Sequence, residues 1–191
     1  MTIKILAFAG SARTDSFNKK LVKVAADGAK TAGAEVTYID FKDLPMPLYD
    51  EDLETAEGLP STVIQFKTLL KEHQGFLIAS PEYNSSISPL LKNAIDWASR
   101  PAPGEASLAC FRDKVAVLMA TSPGGLGGLR GLIHVRSILQ NIGVLVLPDQ
   151  KAIPNAYQAF DEAGNLKDEK QRTDIQTLGS KLAAIATQLA T

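Results

Sequence analysis

Near its N-terminus the chain reads Ile3-Lys4-Ile5-Leu6-Ala7-Phe8-Ala9-Gly10-Ser11-Ala12-Arg13-Thr14-Asp15-Ser16-Phe17-Asn18. Apart from Lys4, Ile3–Ala9 is a continuous apolar run. A strand has that pattern when helices cover both faces of its sheet. A turn of small polar residues follows, and from Phe17 the period changes. Leu21, Val24, Ala25 and Ala29 fall on one stripe of a helix spanning Phe17 to Ala32.

The same strand-turn-helix unit recurs along the chain. Further apolar, β-rich runs lie at Val36–Ile39, Gly75–Ala79, Val115–Ala120 and Val144–Leu147. The helical stretches between and after them carry their own stripes. Pro60 to His73 has Val63, Phe66 and Leu70. Pro89 to Ala98 has Leu91, Ala94, Ile95 and Ala98, with Ser88 as N-cap and proline in the first turn. Gly128 to Asn141 has Leu129, Leu132, Ile133, Arg136 and Leu139, with Gly143 as a stop. Asp168 to Ala190 has Ile175, Leu178, Leu182, Ile185 and Leu189. Strict alternation of five strands with five helices predicts parallel strands joined by right-handed crossovers. The expected architecture is α/β, a three-layer, doubly wound, five-stranded parallel sheet. The irregular stretches Phe41–Gly58, Ser99–Asp113 and Pro148–Lys167 do not resemble linkers, so residues 1–191 are expected to form one domain.

Composition narrows the function. The 191 residues hold 20 Lys+Arg against 21 Asp+Glu, a net charge of −1. A general nucleic-acid binder needs a basic face, and a polybasic membrane anchor needs a basic cluster. Neither nucleic acid nor membrane is therefore an expected partner. One cysteine, Cys110, leaves no intrachain disulfide and no cysteine metal cluster. No signal-peptide layout opens the chain, and no apolar run nears membrane-helix length. A cytoplasmic protein is expected.

In a doubly wound sheet, ligands sit beyond the carboxyl ends of the strands at the topological switch point. Three loops there have unusual composition. Gly10–Asn18 leads into a helix N-terminus, where free N–H groups and the helix dipole favour an anion. Ser11, Thr14, Ser16 and Asn18 add donors, and Arg13 adds a charge. The loop lacks the glycines of G-x-G-x-x-G and the Gly-Lys of a P-loop. It is either a phosphate cradle of another kind or an ordinary helix start capped by Ser16. Asp40 stands where a Rossmann domain keeps its ribose-reading acid, but without the glycines it reads as a turn residue. Ser80–Pro89 carries Tyr83, a flat face with a polar tip. It is either a backbone shelf for a heteroaromatic ring or a generic turn. Downstream, Trp97 reads as core, and Lys92 with Asp96 as an exposed pair of small value. The third loop is the glycine-rich Thr121–Gly128.

These loops together resemble the NAD(P)H-dependent FMN reductase family, which includes bacterial quinone, chromate and azo-dye reductases. Gly10, Ser11, Arg13, Ser16 and Asn18 match its G-S-x-R-x-x-S-x-N loop. Pro81–Asn84 and Leu91–Trp97 match its P-E-Y-N…L-K-N-A-I-D-W stretch. Thr121–Gly128 corresponds to its third flavin loop, and Phe160–Leu166 to a turn before the last helix. The likeness thus extends over nearly the whole chain. At Ser88 many relatives have Pro or Gly, or a shifted proline.

The resemblance implies a flavodoxin-like fold, strand order 2-1-3-4-5, with bound FMN and NADPH or NADH as hydride donor. It implies that Ser11, Arg13, Ser16, Phe17 and Asn18 hold the FMN phosphate. Pro81, Glu82, Tyr83 and Asn84 would line the isoalloxazine ring, and Ser122, Gly124 and Gly125 would approach its pyrimidine side. It implies a homodimer or homotetramer, for which the long loops offer Leu44, Met46, Leu48 and Leu108. The acceptor would be a small molecule: a quinone, azo dye, chromate or free flavin. Hydride transfer needs no general base, so no catalytic side chain is expected.

The alternative is a flavodoxin-type electron carrier. Such carriers are usually strongly acidic and flank the ring with two aromatics; a net charge of −1 and the lone Tyr83 favour the reductase. A third reading is a flavin-binding scaffold or regulator. No ribose-phosphate pocket is legible that would separate NADPH from NADH. His73 and His134 read as surface residues with no metal, Cys110 as buried and inert, and Asp50-Glu51-Asp52 as a solvated loop.

Overall fold

The computed structural model describes residues 2–190. Five parallel strands form the main sheet: β1 (Lys4–Ala9), β2 (Glu35–Ile39), β3 (Gly75–Ala79), β6 (Val115–Thr121) and β7 (Leu145–Ile153). Their spatial order is β2-β1-β3-β6-β7, the expected 2-1-3-4-5. The hairpin β4 (Glu82–Tyr83) and β5 (Ser86–Ile87) stands apart from it. The helices are α1 (Phe17–Thr31), α2 (Glu51–Glu57), α3 (Ser61–Glu72), α4 (Pro89–Ser99), α5 (Leu129–Asn141), α6 (Ala156–Ala159) and α7 (Glu169–Leu189).

The continuous apolar strands serve two cores. Ile5, Ala7 and Ala9 of β1 face one side with Leu77, Ala79, Val117 and Met119, under α1 and α7. Leu6 and Phe8 face the other with Phe76, Ile78 and Leu118, under α3, α4 and α5. In the second core Phe8, Phe41 and Phe66 meet edge to face, with centroids 5.2 to 5.8 Å apart. Trp97 is fully buried, and its Nε1 donates to the Pro47 carbonyl at 2.8 Å. Asn93, one turn earlier on α4, holds both Pro47 O and Tyr49 N. The Leu91–Trp97 segment therefore pins the chain entering α2.

Several expectations need correction. The acidic run at Asp50 opens helix α2, with the Asp50 carboxylate capping Asp52 N, because acids suit a helix N-terminus. Strand β7 continues past Leu147 to Ile153 through a register shift opposite Ala116 and Leu118. Pro148 is tolerated there because β7 is an edge strand. Arg136 donates to the carbonyls of Val146, Leu147 and Pro148 beside this register shift. Leu129, Ile133 and Leu189, placed on core stripes by spacing, are 42%, 61% and 62% exposed. His73 is buried; its ring meets Leu69 O at 2.6 Å and Thr37 Oγ1 at 2.9 Å. Among the described residues no three His, Cys, Asp or Glu side chains are grouped to hold a metal. No helix there is long and apolar enough to cross a membrane.

Helices α1 and α7 cross in close contact. A Cβ on Gly179 would stand 1.9 Å from Ala25 O, and one on Gly28 would stand 2.0 Å from Gln176 O. Only hydrogen fits at either point. Gly179→Ala is expected to force the helices apart and cost about 1–3 kcal/mol, the usual range for overpacking. Chemical denaturation would register this as a lower midpoint at unchanged slope.

A second constraint ties the 100–113 loop to α3. Lys67, 3% exposed, bonds Arg100 O and pairs with Glu105 at 2.6 Å, while Lys71 reaches the same carboxylate at 2.7 Å. Burial alone would raise the Glu105 pKa, but the hydrogen bonds from both lysines and from Ala102 N outweigh it and bring it down to about 2. This carboxylate thus stabilises the fold fully above its ordinary pKa of 4.5 and loses that contribution as pH falls toward about 2. The melting temperature should drop across that acid window, and the drop should be shallower in Glu105→Gln.

Candidate functional site

The β1–α1 loop, the β3–β4 connection and the β6–α5 loop meet at the carboxyl edge of the sheet, where strand order reverses. Two side chains fasten them. Asn18 Nδ2 donates to Thr121 O at 3.0 Å, and Thr121 N donates to Asn18 Oδ1 at 3.0 Å. Ser88 Oγ donates to Gly10 O at 2.6 Å and accepts from Leu91 N at 3.2 Å. The first fastener joins the first loop to the third, and the second joins the first to the helix behind the second. Ser88 thus has a defined structural task here.

The fastened loops enclose a cleft of about 280 Å³. Ser11, Arg13, Ser16, Phe17 and Asn18 form one wall. Pro81, Glu82 and Tyr83 from the second loop, Thr121, Ser122 and Pro123 from the third, and Tyr157 complete the lining. Nine of the twelve residues anticipated from sequence therefore line one space. Asn84, Gly124 and Gly125 do not. Asn84 and Ser85 have φ of 50° and 67°. They are the central residues of the tight turn between β4 and β5, which requires left-handed backbone. Gly124 O instead accepts from Gly127 N and Asn155 N. A Cβ on Gly125 would meet nothing within 4 Å, so crowding does not demand glycine there. Gly128 differs: its φ is 91°, and a Cβ would lie 2.8 Å from Ala120 Cβ.

Sequence reasoning missed Thr121, Pro123 and Tyr157. Tyr157 comes from the short α6 and stands edge-on to Phe17, with centroids 5.2 Å apart. Phe17 also stacks on Phe160 at 5.5 Å. The Phe160–Leu166 turn thereby supports the first wall from behind.

The cradle end has the chemistry of an anion site. Ser16 occupies the N-cap position of α1, yet its hydroxyl makes no cap bond, and the first turn holds no acidic residue. By contrast, Ser88, Asp50 and Asp168 each cap their own helices. The N–H groups of the first turn of α1 are therefore left without an internal acceptor. Ser11 Oγ, Ser16 Oγ and the Arg13 guanidinium, which rests over the Phe17 ring at 5.6 Å, complete the donor set. Such a set suits a phosphomonoester dianion.

The shelf end is rigid. Glu82 accepts from Arg130 Nε at 2.8 Å and Gly131 N at 3.1 Å, and forms an ion pair with Arg130 at 2.6 Å. Burial would raise the Glu82 pKa, but Arg130 and Gly131 overcome that and hold it below the usual carboxylate range. Its carboxylate is thus occupied with bracing the β4–β5 hairpin against α5. The Asn18 carboxamide is occupied in the same way by Thr121. No side chain is placed as a free acid or base by these contacts.

Comparison with known proteins agrees with this geometry. The model of the NADPH-dependent FMN reductase family matches residues 3–158. An NADPH:quinone oxidoreductase of Arabidopsis thaliana is 36% identical over 192 aligned positions, covering 98% of this chain and 93% of that protein. An NAD(P)H-dependent FMN reductase of Pseudomonas aeruginosa is 37% identical, covering 91% and 90%. The flavoenzyme NAD(P)H:(acceptor) oxidoreductase of Paracoccus denitrificans superposes with a TM-score of 0.79 at 25% identity, covering 98% of both chains. With its flavodoxin-like sheet and three-loop cleft, the chain belongs to the NADPH-dependent FMN reductase family.

Proposed function

We propose that the cleft binds FMN and that the protein passes hydride from NAD(P)H through the flavin to a quinone-type acceptor. The observation carrying this reading is the uncapped start of α1 in the same cleft as the Pro81–Tyr83 shelf. FMN held there would supply two-electron chemistry: hydride taken from NAD(P)H would pass on to a quinone together with one further proton from water, giving the quinol. The chain's own residues have other tasks. Arg13, Ser11, Ser16 and the α1 N–H groups hold the phosphate and fix the register. Pro81 and Tyr83 bound the ring on one side, and Ser122 and Pro123 on the other. Asn18 positions the third loop through Thr121, and Glu82 positions the hairpin through Arg130. Rigid loops suit a reaction whose barrier depends on placing donor and acceptor about 3–3.5 Å apart. Quinone as acceptor is supported by the Arabidopsis relative's named activity.

We further infer a single domain that assembles as a homodimer or homotetramer in the cytoplasm. Leu44 is buried, and Met46 and Leu108 are partly buried against the core, so of these four loop residues Leu48 is the one most open to a partner. The stronger support is on and before α5, where Leu126, Leu129 and Ile133 are exposed beside the hairpin. The free, buried thiol of Cys110 is consistent with a reducing compartment. Sedimentation at micromolar concentration should show no dominant monomer, and Ile133→Asp should shift the distribution toward one.

Substitutions should separate phosphate from ring. Arg13→Ala removes a charge-assisted contact worth about 1.5–3 kcal/mol, so FMN affinity should fall about ten- to hundredfold. Riboflavin, which lacks the phosphate, should bind almost as before. Asn18→Ala loosens the third loop and should weaken both flavins. Fluorescence titration of both ligands decides it: equal losses in Arg13→Ala would mean that this arginine supports the fold instead. Mixing the FMN-loaded protein with NADPH and a quinone should give flavin bleaching and turnover; bleaching without turnover would indicate a carrier.

A further inference from the structure

A second cavity, of about 390 Å³, adjoins the cradle and shares Ser16 with it. It follows α1 from Thr14 to Asp27, walled by Tyr38 and Asp40 at the end of β2 and by Gly164 and Asn165. Its charges are unevenly satisfied. Lys19 is buried against Asp40 at 2.5 Å, and Asp27 faces Lys30 at 3.5 Å. The remaining cations are Lys20 and Lys23, which form no ion pair among the described residues. Their ammonium groups rest over the rings of Phe17 at 5.3 Å and Tyr38 at 4.8 Å. At the mouth, Lys42 Nζ donates to Thr14 Oγ1 at 3.2 Å. The nearby carboxylates are Asp15, beside Thr14, and Asp43, whose charge is felt at Tyr38. Cation–π contact holds an ammonium in place without neutralising it. The groove therefore keeps two ordered positive charges available to an anion.

We propose that this groove receives the 2′-phosphate of NADPH, with Lys20 and Lys23 as the residues that make the protein prefer NADPH to NADH. The inference rests on the reading of the cleft as the flavin site. A dinucleotide donor with its nicotinamide on the flavin must lead its adenosine end out of that cleft, and the adjoining cavity is cationic. Asp40, the carboxylate in this wall, is already paired with Lys19, which lowers the repulsion a 2′-phosphate would meet there. At neutral pH a phosphomonoester carries nearly two charges, matched to two lysines.

The test uses the FMN-loaded protein. By calorimetry, 2′-AMP should bind at least about tenfold tighter than 5′-AMP, as expected for charge-assisted contacts. Lys20→Gln/Lys23→Gln should abolish that difference. In rapid-mixing experiments the same variant should reduce its flavin with NADPH about ten- to hundredfold less efficiently, while NADH is unaffected. Lys23→Gln alone, which leaves the surroundings of Phe17 intact, should show a smaller change of the same kind. Equal binding of 2′-AMP and 5′-AMP by the wild type overturns the proposal. So does inorganic phosphate competing as well as 2′-AMP, or parallel losses with both dinucleotides. A protein that binds FMN and oxidises both dinucleotides equally well overturns the groove assignment alone; one that binds no FMN or oxidises neither overturns the flavoenzyme reading as well.

Discussion

The site depends on one reciprocal pair of hydrogen bonds, between the Asn18 carboxamide and the backbone of Thr121. Both groups are buried, so leaving either unpaired would cost about 1–3 kcal/mol. That penalty keeps the start of α1 locked to the end of β6, across β3. Ser88 adds the second lock by holding Gly10 O while capping α4. With those two contacts made, the three loops have little freedom, and a rigid cleft follows from the strand order itself. Parallel strands bring their carboxyl ends to one edge, and the reversal of order between β1 and β3 opens a gap there.

Electrostatics then divides the cleft. Its cradle end has an uncapped helix, two serine hydroxyls and an arginine; its shelf end has proline, tyrosine and a carboxylate already neutralised by Arg130. Negative charge is favoured at the first and a planar neutral surface at the second. The difference lies in small choices. Ser88 and Ser16 are both N-cap serines, but only Ser88 spends its hydroxyl on its own helix. Likewise Asp50 and Asp168 satisfy their helices with carboxylates, whereas α1 has no acid in its first turn.

Much of this was legible in the sequence because local chemistry carries it. Strand and helix alternation follows from a change of hydrophobic period, which one chain displays directly. The five-strand order came from the resemblance, and the cleft wall at the start of α1 from the β1–α1 loop. The misses share a cause: they depend on long-range contacts. Tyr157 reaches the cleft only because α6 packs against Phe17. Extension of β7 past Pro148 is accompanied by hydrogen bonds from Arg136, on a different element, to three carbonyls. His73 looks like a surface residue until Thr37 is brought beside it. Asn84 and Asn18 were placed in the right loops, but one serves a turn and the other a fastening, which residue type alone does not distinguish.

The central claim is that the first turn of α1 is an anion site kept open for the flavin phosphate. Backbone amide NMR tests it without reference to turnover. FMN should shift the N–H resonances of Phe17, Asn18 and Lys19 strongly, whereas riboflavin should leave them nearly unmoved and perturb only the Pro81–Tyr83 and Ser122–Pro123 segments. Identical shifts at Phe17–Lys19 with both ligands, or none with either, would contradict the account.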